Sequence, residues 1–342
     1  MVLGSVDDSA SAFGRVSSAL RLADGVIAVA DPLSSSIHFF DTSGSRFRVA
    51  GGSGEGPGEF RSLTWIRRAS GLALVAYDRT RRASVFDQTG RLIRTGQVPG
   101  PPVGTLSTGE MIFSRRISSA REELPGGLYR DSSLFLVARD DAWSSLDTLG
   151  MFPNSDPPYS ARVTSAAGAL VVVSFGEVMP YGRIASVVIS GEQVVHGDGG
   201  LWELRYHDRT GRLTRIVRRD QPPERITDRL LADFIEAFVL TLPEGSRAQA
   251  GDALEDFTPR RTVPAFGRVL ADEIGRLWVR DYKLPGPAAQ RWTVLSPLGA
   301  PLGTVLVPAD LEILDVGRSH VLGLRKGPYD IDQVLLFALL PG

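Results

Sequence analysis

Short runs of β-branched and aromatic residues alternate with polar turn sequences along most of the chain. One turn recurs: an Asp, two further residues and a Gly stand between two β-rich runs, with Ser in place of Asp in the last copy. The carboxylate can accept hydrogen bonds from backbone N–H groups, and the Gly can adopt the positive φ of a tight hairpin. We therefore predict five hairpin tips: Asp41 with Gly44, Asp87 with Gly90, Asp147 with Gly150, Asp208 with Gly211, and Ser296 with Gly299.

The spacing of these turns is typical of the blades of a β-propeller. Successive turns begin 46, 60, 61 and 88 residues apart, and propeller blades repeat about every 40–50 residues, so the later units are predicted to carry insertions. A second repeat occurs at the same place in its units. It consists of an aromatic residue followed by a short strand, a Gly-containing turn and a longer apolar strand. Three such residues are predicted to fill equivalent buried positions between blades: Phe13, Phe60 and Phe266.

The repeats divide the chain into six units, and six four-stranded antiparallel blades close a ring. The last unit has only three strands, and residues 2–6 are predicted to complete it, which removes free sheet edges. The sequence thus predicts an all-β, six-bladed β-propeller, a single domain over residues 1–342 closed by pairing of its N- and C-terminal segments. The innermost strands are predicted to begin near Val16, Leu63, Val103, Val163, Val269 and Leu311.

The long interval between the fourth and fifth turns contains the one clear helical pattern. Apolar residues recur there on one helical face, and Thr227 or Asp228 is placed to cap the helix. We predict an insertion over residues 222–262 between blades 4 and 5, made of a helix near 223–240 and a polar loop over 244–262. The apolar stripe either packs on the propeller itself or forms part of a partner-binding ledge.

Charge and composition narrow the class of partner. The chain has 38 basic and 39 acidic residues and a net charge of −1, which disfavours a nucleic-acid partner. Cysteine is absent, which excludes disulfides, thiolate metal sites and a cysteine nucleophile. No stretch approaches the 18 or so apolar residues of a transmembrane helix. Because the chain starts almost inside a predicted strand, we expect an export or anchor segment to precede it.

A glycine-rich loop at residues 51–60, Gly-Gly-Ser-Gly-Glu-Gly-Pro-Gly-Glu-Phe, is the densest motif. It resembles the G-x-G-E-G-P-G-E-F loop that links blades in bacterial six-bladed β-propellers related to NHL-repeat proteins. That resemblance implies a propeller that is usually exported and often lipid-anchored, and it implies no particular reaction. Ser296 and the charged stretch 114–127 depart from the family pattern. Four C-terminal segments are also similar to the family: residues 291–299, 303–308, 321–324 and 334–337.

The residues that could carry chemistry predict no catalytic, cofactor or metal site. The glycine-rich loop lacks the Lys and Ser/Thr of a phosphate loop and precedes no helix, so we interpret it as a tight crossing between blades. A cation in the central channel would need several oxygen ligands, and the nearest acidic candidates are Asp272, Glu273 and Asp315. The chain contains no Gly-x-Ser-x-Gly elbow. The four histidines lie in separate units and predict no zinc set: His38, His196, His207 and His320.

These features favour a non-enzymatic function: a periplasmic or otherwise extracytoplasmic scaffold that binds other proteins, as an accessory subunit of a membrane-associated assembly. Two alternatives stay open, a metal-dependent hydrolase or lyase with its site in the channel, and a propeller that binds a glycan or small ligand through its tryptophans. Recognition usually resides in projecting loops, and segments 114–132 and 222–262 are predicted to project. Their candidate partner-binding residues are Arg115, Arg116, Leu124, Leu128, Tyr129, Leu240, Leu242 and Phe257.

Overall fold

The structure is a computed structural model that describes residues 1–4, 12–69, 71, 73–164, 170–175, 178–240, 244–255, 257–284 and 286–339. Within these residues the chain forms six four-stranded sheets and one two-stranded sheet. One edge strand of each four-stranded sheet lines the same central channel, so the six sheets are the blades of one ring. The predicted six-bladed β-propeller is confirmed.

The first part of the chain forms a short strand, β1 (Val2–Leu3), and then three blades. Within each blade the strands pair in chain order, because short turns connect antiparallel neighbours. Blade 1 consists of β2 (Ser18–Arg21), β3 (Ile27–Asp31), β4 (Ser36–Phe40) and β5 (Arg46–Gly51); blade 2 of β6 (Leu63–Arg68), β7 (Leu74–Asp78), β8 (Arg82–Phe86) and β9 (Leu92–Gln97); and blade 3 of β10 (Pro102–Thr105), β11 (Met111–Glu123), β12 (Tyr129–Ala138) and β13 (Leu146–Pro153).

The second part forms three further blades, and two insertions interrupt it. The first insertion contains the two-stranded sheet of β14 (Tyr159–Thr164) and β15 (Leu170–Phe175). Blade 4 consists of β16 (Ser186–Ser190), β17 (Gln193–Gly197), β18 (Glu203–His207) and β19 (Leu213–Arg218). Then come α1 (Asp228–Leu240) and α2 (Glu244–Glu255), followed by blade 5 with β20 (Arg268–Ala271), β21 (Leu277–Arg280), β22 (Ala289–Leu295) and β23 (Pro301–Pro308), and blade 6 with β24 (Glu312–Val316), β25 (His320–Lys326) and β26 (Asp332–Ala338).

The two ends of the chain close the ring in blade 6. Strand β1 pairs antiparallel with β26, with Val2 opposite Leu335 and Leu3 opposite Val334. Leu3 is buried in the same apolar cluster as Phe13. The predicted closure is confirmed for Val2–Leu3. The strand ends before Gly4, and residues 5 and 6 of the predicted strand lie outside the described residues.

Most of the recurrent turns form hairpin tips as the sequence predicts. The carboxylate of Asp41 accepts hydrogen bonds from the backbone N–H groups of Ser43 and Ser45 at 2.9 and 3.0 Å, and Gly44 has a φ of 87°. Hydrogen bonds from the Ser43 hydroxyl and from backbone N–H groups hold the pKa of Asp41 below its usual value. The same turn conformation, with a positive φ at the glycine, recurs at Asp87 with Gly90, Asp208 with Gly211, and Ser296 with Gly299.

The third predicted turn is wrong. Asp147 and Gly150 lie inside β13, and the tip between β12 and β13 is formed at Asp140. Its carboxylate accepts hydrogen bonds from the backbone N–H groups of Ser144 and Ser145 at 2.8 and 2.9 Å. The positive φ is supplied by Trp143, at 59°. The sequence prediction misses this turn because the residue with the positive φ is a tryptophan and not a glycine.

The inner strand of blade 4 is also misplaced by the sequence pattern. Val163 lies in β14, outside the six blades, and β16 lines the channel instead. Both segments are short and contain β-branched residues, so residue preference alone does not distinguish them. The prediction therefore assigned a strand of the inserted hairpin β14–β15 to the inner position of blade 4.

The three phenylalanines of the second repeat lie between neighbouring blades. Phe13, Phe60 and Phe266 are exposed by only 5%, 1% and 0%. Phe13 packs between blades 6 and 1, Phe60 between blades 1 and 2, and Phe266 between blades 4 and 5. Each phenylalanine side chain thus buries apolar area where two neighbouring blades face each other.

The predicted helix is α1, and its start is capped by Thr227, whose hydroxyl accepts a hydrogen bond from the Leu230 N–H at 3.2 Å. The predicted polar loop over 244–262 is wrong in its first part, which forms α2. Several alanines in that segment favour a helix despite its polarity. Within the described parts of the chain, neither helix is long and apolar enough to cross a bilayer.

Candidate functional site

Three segments outside the regular blades pack against one another on one side of the ring. They are residues 117–131 at the tip of the β11–β12 hairpin, the described residues of 154–182, and the described residues of 224–262. We call them the insertion unit. Apolar side chains from all three meet in one cluster: Leu124, Met179, Ala250, Leu254 and Phe257, with Leu128, Tyr159, Leu231, Ile235, Phe238, Val239 and Ala253 around them. The apolar stripe of α1 therefore packs within the protein itself.

Buried ion pairs join the three segments. The guanidinium of Arg260 donates two hydrogen bonds to the Asp156 carboxylate, at 2.6 and 2.7 Å. Arg130 of β12 lies 3.7 Å from Asp156 and 2.5 Å from Glu122. The side chains of Asp156, Arg130 and Arg260 are exposed by only 0%, 4% and 10%. Because the charges are paired and hydrogen-bonded, their burial fixes the insertion unit in one position.

The structure corrects part of the predicted partner-binding set. Leu124 and Phe257 are buried in the core of the insertion unit, and Leu128 packs against that core. The side chains of Leu124 and Phe257 are therefore enclosed by the three segments themselves. Burial argues against partner contacts of Leu124 and Phe257, whereas the contact of half-buried Leu128 stays a prediction. Leu242 lies outside the described residues.

The other predicted residues are exposed on the insertion unit or beside it. Tyr129 is 43% exposed, and the Arg121 guanidinium stacks 4.5 Å from the centre of its ring. Leu240, at the end of α1, is 59% exposed. Arg115 and Arg116 are exposed on β11, the long strand that also contains Arg121. The exposed members of the predicted set thus comprise an aromatic ring, an aliphatic side chain and two arginines.

The central channel is a second concave region, with a volume of about 1230 Å³. Asp272, Glu273 and Asp315 all lie in its wall, as the sequence indicates, but arginines engage them. Asp315 accepts hydrogen bonds from both terminal nitrogens of Arg68, at 2.7 and 2.8 Å, and Glu273 lies 3.1 Å from the same guanidinium. Asp272 lies 2.5 Å from Arg276. Arg68 of blade 2 thus connects blades 5 and 6 across the channel.

The channel wall also carries a positive charge beside an aromatic ring. The Arg67 guanidinium lies 4.5 Å from the centre of the Trp65 ring, which stacks on Tyr77 at 5.0 Å. Burial, and then the nearby Arg268, lower the pKa of Arg67 to about 10, so that it is protonated at neutral pH. Among the described residues, no three potential metal-ligating side chains converge. Within the described part of the chain, the channel wall thus presents the guanidinium of Arg67 rather than a set of oxygen ligands for a metal ion.

Two histidines that the sequence analysis assigned to separate units, His196 and His207, lie in neighbouring strands of blade 4, so that assignment is wrong. The rings of His196 and His207 both lie against Phe152, at centroid distances of 4.6 and 4.9 Å. Sequence reasoning missed this arrangement because Phe152 belongs to blade 3 and the histidines to blade 4.

Comparison with known proteins supports the fold. No protein-family model and no curated protein matches the chain. Its fold is similar to that of a predicted exported protein of Bacteroides fragilis NCTC 9343, with 12% identity over 100% of this chain and 95% of the other, and a TM-score of 0.54. A DUF4221 family member of Bacteroides vulgatus ATCC 8482 gives 11% identity, coverages of 100% and 97%, and a TM-score of 0.53. A gluconolactonase of Xanthomonas campestris gives 12%, coverages of 98% and 94%, and 0.44. At these identities the likeness shows the fold alone.

Proposed function

We propose that this protein is a non-enzymatic binding module that acts outside the cytoplasm and presents its insertion unit to a protein partner in a membrane-associated assembly. The observation that carries the proposal is the construction of the insertion unit. It has its own apolar core, and buried ion pairs hold its three segments together. A projection that is already rigid loses little conformational entropy when it binds.

The chemistry of the exposed surface indicates the kind of partner. Tyr and Arg are enriched among the residues that dominate binding energy at interfaces, and Tyr129 lies directly under Arg121. Arg115 adds positive charge on β11, whereas the guanidinium of Arg116 pairs with Asp131 at 2.5 Å. The partner surface is therefore proposed to combine apolar side chains with carboxylates, which complement both features.

The channel supports a binding function over a metal-dependent reaction. The three acidic side chains predicted nearest the channel make ion pairs with Arg68 or Arg276, which leaves few oxygen atoms to hold a cation. The glycine-rich loop at 51–60 supports a relation to NHL-type propellers. The similar fold of a predicted exported protein agrees with a site of action outside the cytoplasm.

Cross-linking followed by purification from native membranes tests the proposal. We expect at least one other polypeptide to co-purify with the wild-type chain, and its recovery to fall several-fold in the double variant Tyr129→Ala, Leu240→Asp. Leu298→Asp is the matched control, because Leu298 is an exposed leucine, at 70%, on the turn of blade 5.

Two results would overturn the proposal. One is the absence of any specific co-purifying polypeptide after cross-linking of the natively expressed chain. The other is equal recovery of the same polypeptides with the wild type, the double variant and the control, provided that circular dichroism shows all three to be folded.

A further inference from the structure

The wall of the central channel carries an excess of positive charge, although the chain as a whole has a net charge of −1. Seven basic and five acidic side chains line the channel, an excess of two positive charges. Arginines engage four of the five carboxylates. A concave wall with an excess of one sign of charge attracts small ions of the opposite sign, so the channel favours small anions.

Arg67, near the end of β6, has an edge that the protein leaves open. Its Nη1 atom donates a hydrogen bond to the carbonyl oxygen of Ile66 at 2.9 Å, and its guanidinium lies 4.5 Å from the centre of the Trp65 ring. In the described part of the chain, its Nε and Nη2 atoms have no hydrogen-bond partner. These two N–H groups form the edge of a guanidinium that can hold a carboxylate by two parallel hydrogen bonds.

A molecule in the channel can reach this edge. Arg67 lines the channel and is partly exposed, and neither Nε nor Nη2 is among the unpaired polar atoms that the described residues enclose. Burial is the largest cause of the lowered pKa of Arg67, so the side chain lies deep in the molecule. The solvent that reaches it is therefore the solvent of the channel.

Another arginine occupies the carboxylate whose charge acts on Arg67. Burial, and then the charge of Arg268, lower the pKa of Arg67, whereas Asp315 raises it. Both oxygens of Asp315 accept hydrogen bonds from Arg68, at 2.7 and 2.8 Å, and one also accepts from the Arg21 N–H at 3.0 Å. Arg67 is thus a deep-lying cation without a hydrogen-bonded counter-charge, an unfavourable arrangement that a bound anion relieves.

Arg268 brings a second positive charge toward Arg67. Blades 2 and 5, which carry these two residues, lie opposite each other in a ring of six. The Nη1 atom of Arg268 donates hydrogen bonds to Glu312 at 3.0 Å and to the carbonyl oxygen of Ile313 at 3.4 Å. Because two like charges disfavour each other, an anion at Arg67 also interacts favourably with Arg268.

The rest of the wall indicates the kind of anion. Half-buried aliphatic side chains line the channel beside the charged groups, among them Val103, Leu270 and Leu314. They can cover the apolar body of a ligand. Glu273 and Glu312 also lie in the wall, so a ligand with one negative charge meets less repulsion than a polyanion.

We propose that the central channel binds a small organic acid that has one carboxylate and an apolar body. The carboxylate accepts two hydrogen bonds from Nε and Nη2 of Arg67, and the body packs on the aliphatic part of the wall. The site is independent of the protein-binding surface proposed above, since no residue of the insertion unit lines the channel.

Isothermal titration calorimetry of the full chain with benzoate tests this proposal. The control compound is benzamide, which has the same ring and nearly the same shape but no charge. We expect benzoate to bind at least about tenfold more tightly than benzamide, and Arg67→Gln to weaken benzoate binding about tenfold or more, the effect of losing a hydrogen bond to a charged group. Arg67→Lys keeps the charge and loses the two-pronged geometry, so we expect a smaller loss.

Arg79→Gln is the matched control variant. Arg79 is an exposed arginine of the same blade, on the turn between β7 and β8, and it does not line the channel. We expect this variant to bind benzoate as tightly as the wild type.

A measurement on the wild type avoids any loss of folding in the variants. Benzoate should shift the side-chain Nε–H resonance that is assigned to Arg67 through its backbone connection, and benzamide should leave it unchanged. The proposal is overturned if the folded wild type does not bind benzoate at millimolar concentration, or if benzoate and benzamide bind equally. It is also overturned if benzoate leaves the Arg67 resonance unchanged, or if folded Arg67→Gln binds benzoate as tightly as Arg79→Gln.

Discussion

Burial of His196 makes folding stability depend on pH. The pKa of this side chain falls from 6.5 to about 4, chiefly through desolvation. Between these values the unfolded chain binds a proton that the folded chain does not, so stability falls as the pH decreases from 6.5 to 4. The full effect of a pKa change of this size is roughly 3 kcal/mol.

We therefore expect urea unfolding to show a loss of stability between pH 7 and pH 4.5, and His196→Phe to lose less over the same interval. Other groups also titrate there, including His38, whose pKa burial lowers as well. The informative quantity is thus the difference between the two proteins. An identical pH dependence for wild type and variant would show that protonation of His196 does not oppose folding.

The sequence predicts secondary-structure elements well where the signal is local. The turns at Asp41, Asp87 and Asp208 are predicted correctly because the carboxylate and the glycine lie within four residues of each other. The turn at Asp140 escapes prediction because Trp143 adopts the positive φ. Strand β16 is missed because the chain around it contains two comparable short runs with β-branched residues. Helix α2 is missed because its sequence is polar although its helix propensity is high.

The insertion unit depends most on Asp156, and its removal gives a prediction for this element. Asp156 is fully buried and accepts the two hydrogen bonds from Arg260 and one from the Arg183 N–H at 2.8 Å. Asp156→Ala removes the two hydrogen bonds that the buried Arg260 guanidinium makes and leaves it only Glu122, at 3.5 Å, as a counter-charge, a change that costs about 3–5 kcal/mol. We expect faster hydrogen exchange in α1 and α2, while exchange in blades 1 and 2 stays the same.

Arg229→Ala is the control for this prediction. Arg229 pairs with Asp233 on the surface of α1 at 3.9 Å and is 90% exposed, and exposed pairs contribute about 0–1 kcal/mol. Equal exchange in the helices of Asp156→Ala and Arg229→Ala would contradict the anchoring role of the buried ion pairs.

At the scale of the whole molecule, the ring could be predicted because its blades repeat along the sequence. Contacts between segments that do not repeat could not be predicted. Phe13, Phe60 and Phe266 recur in phase, so their burial between blades follows from the pattern. Leu124 and Phe257 are buried only because three distant segments meet, and no local pattern reports that meeting. The approach of Phe152 to the two histidines likewise depends on how blade 3 faces blade 4.

Closure of the ring depends on very few residues at the start of the chain. Strand β1 contributes two residue pairs to blade 6, and the Met1 carbonyl accepts a further hydrogen bond from the Leu336 N–H at 2.9 Å. Leu3 is 4% exposed and covers the junction of blades 6 and 1. Without β1, strand β26 becomes a free edge that can pair with another chain.

Deletion of residues 1–4 should therefore lower the free energy of unfolding by several kcal/mol, because it removes a buried leucine and a set of edge hydrogen bonds together. Chemical denaturation measures the loss, and light scattering should show association through the exposed edge of β26. Val2→Thr is the control, since Val2 is 56% exposed and this change keeps the backbone pairing. If the deletion leaves both the unfolding midpoint and the monomeric state unchanged, pairing of the termini does not hold the ring closed.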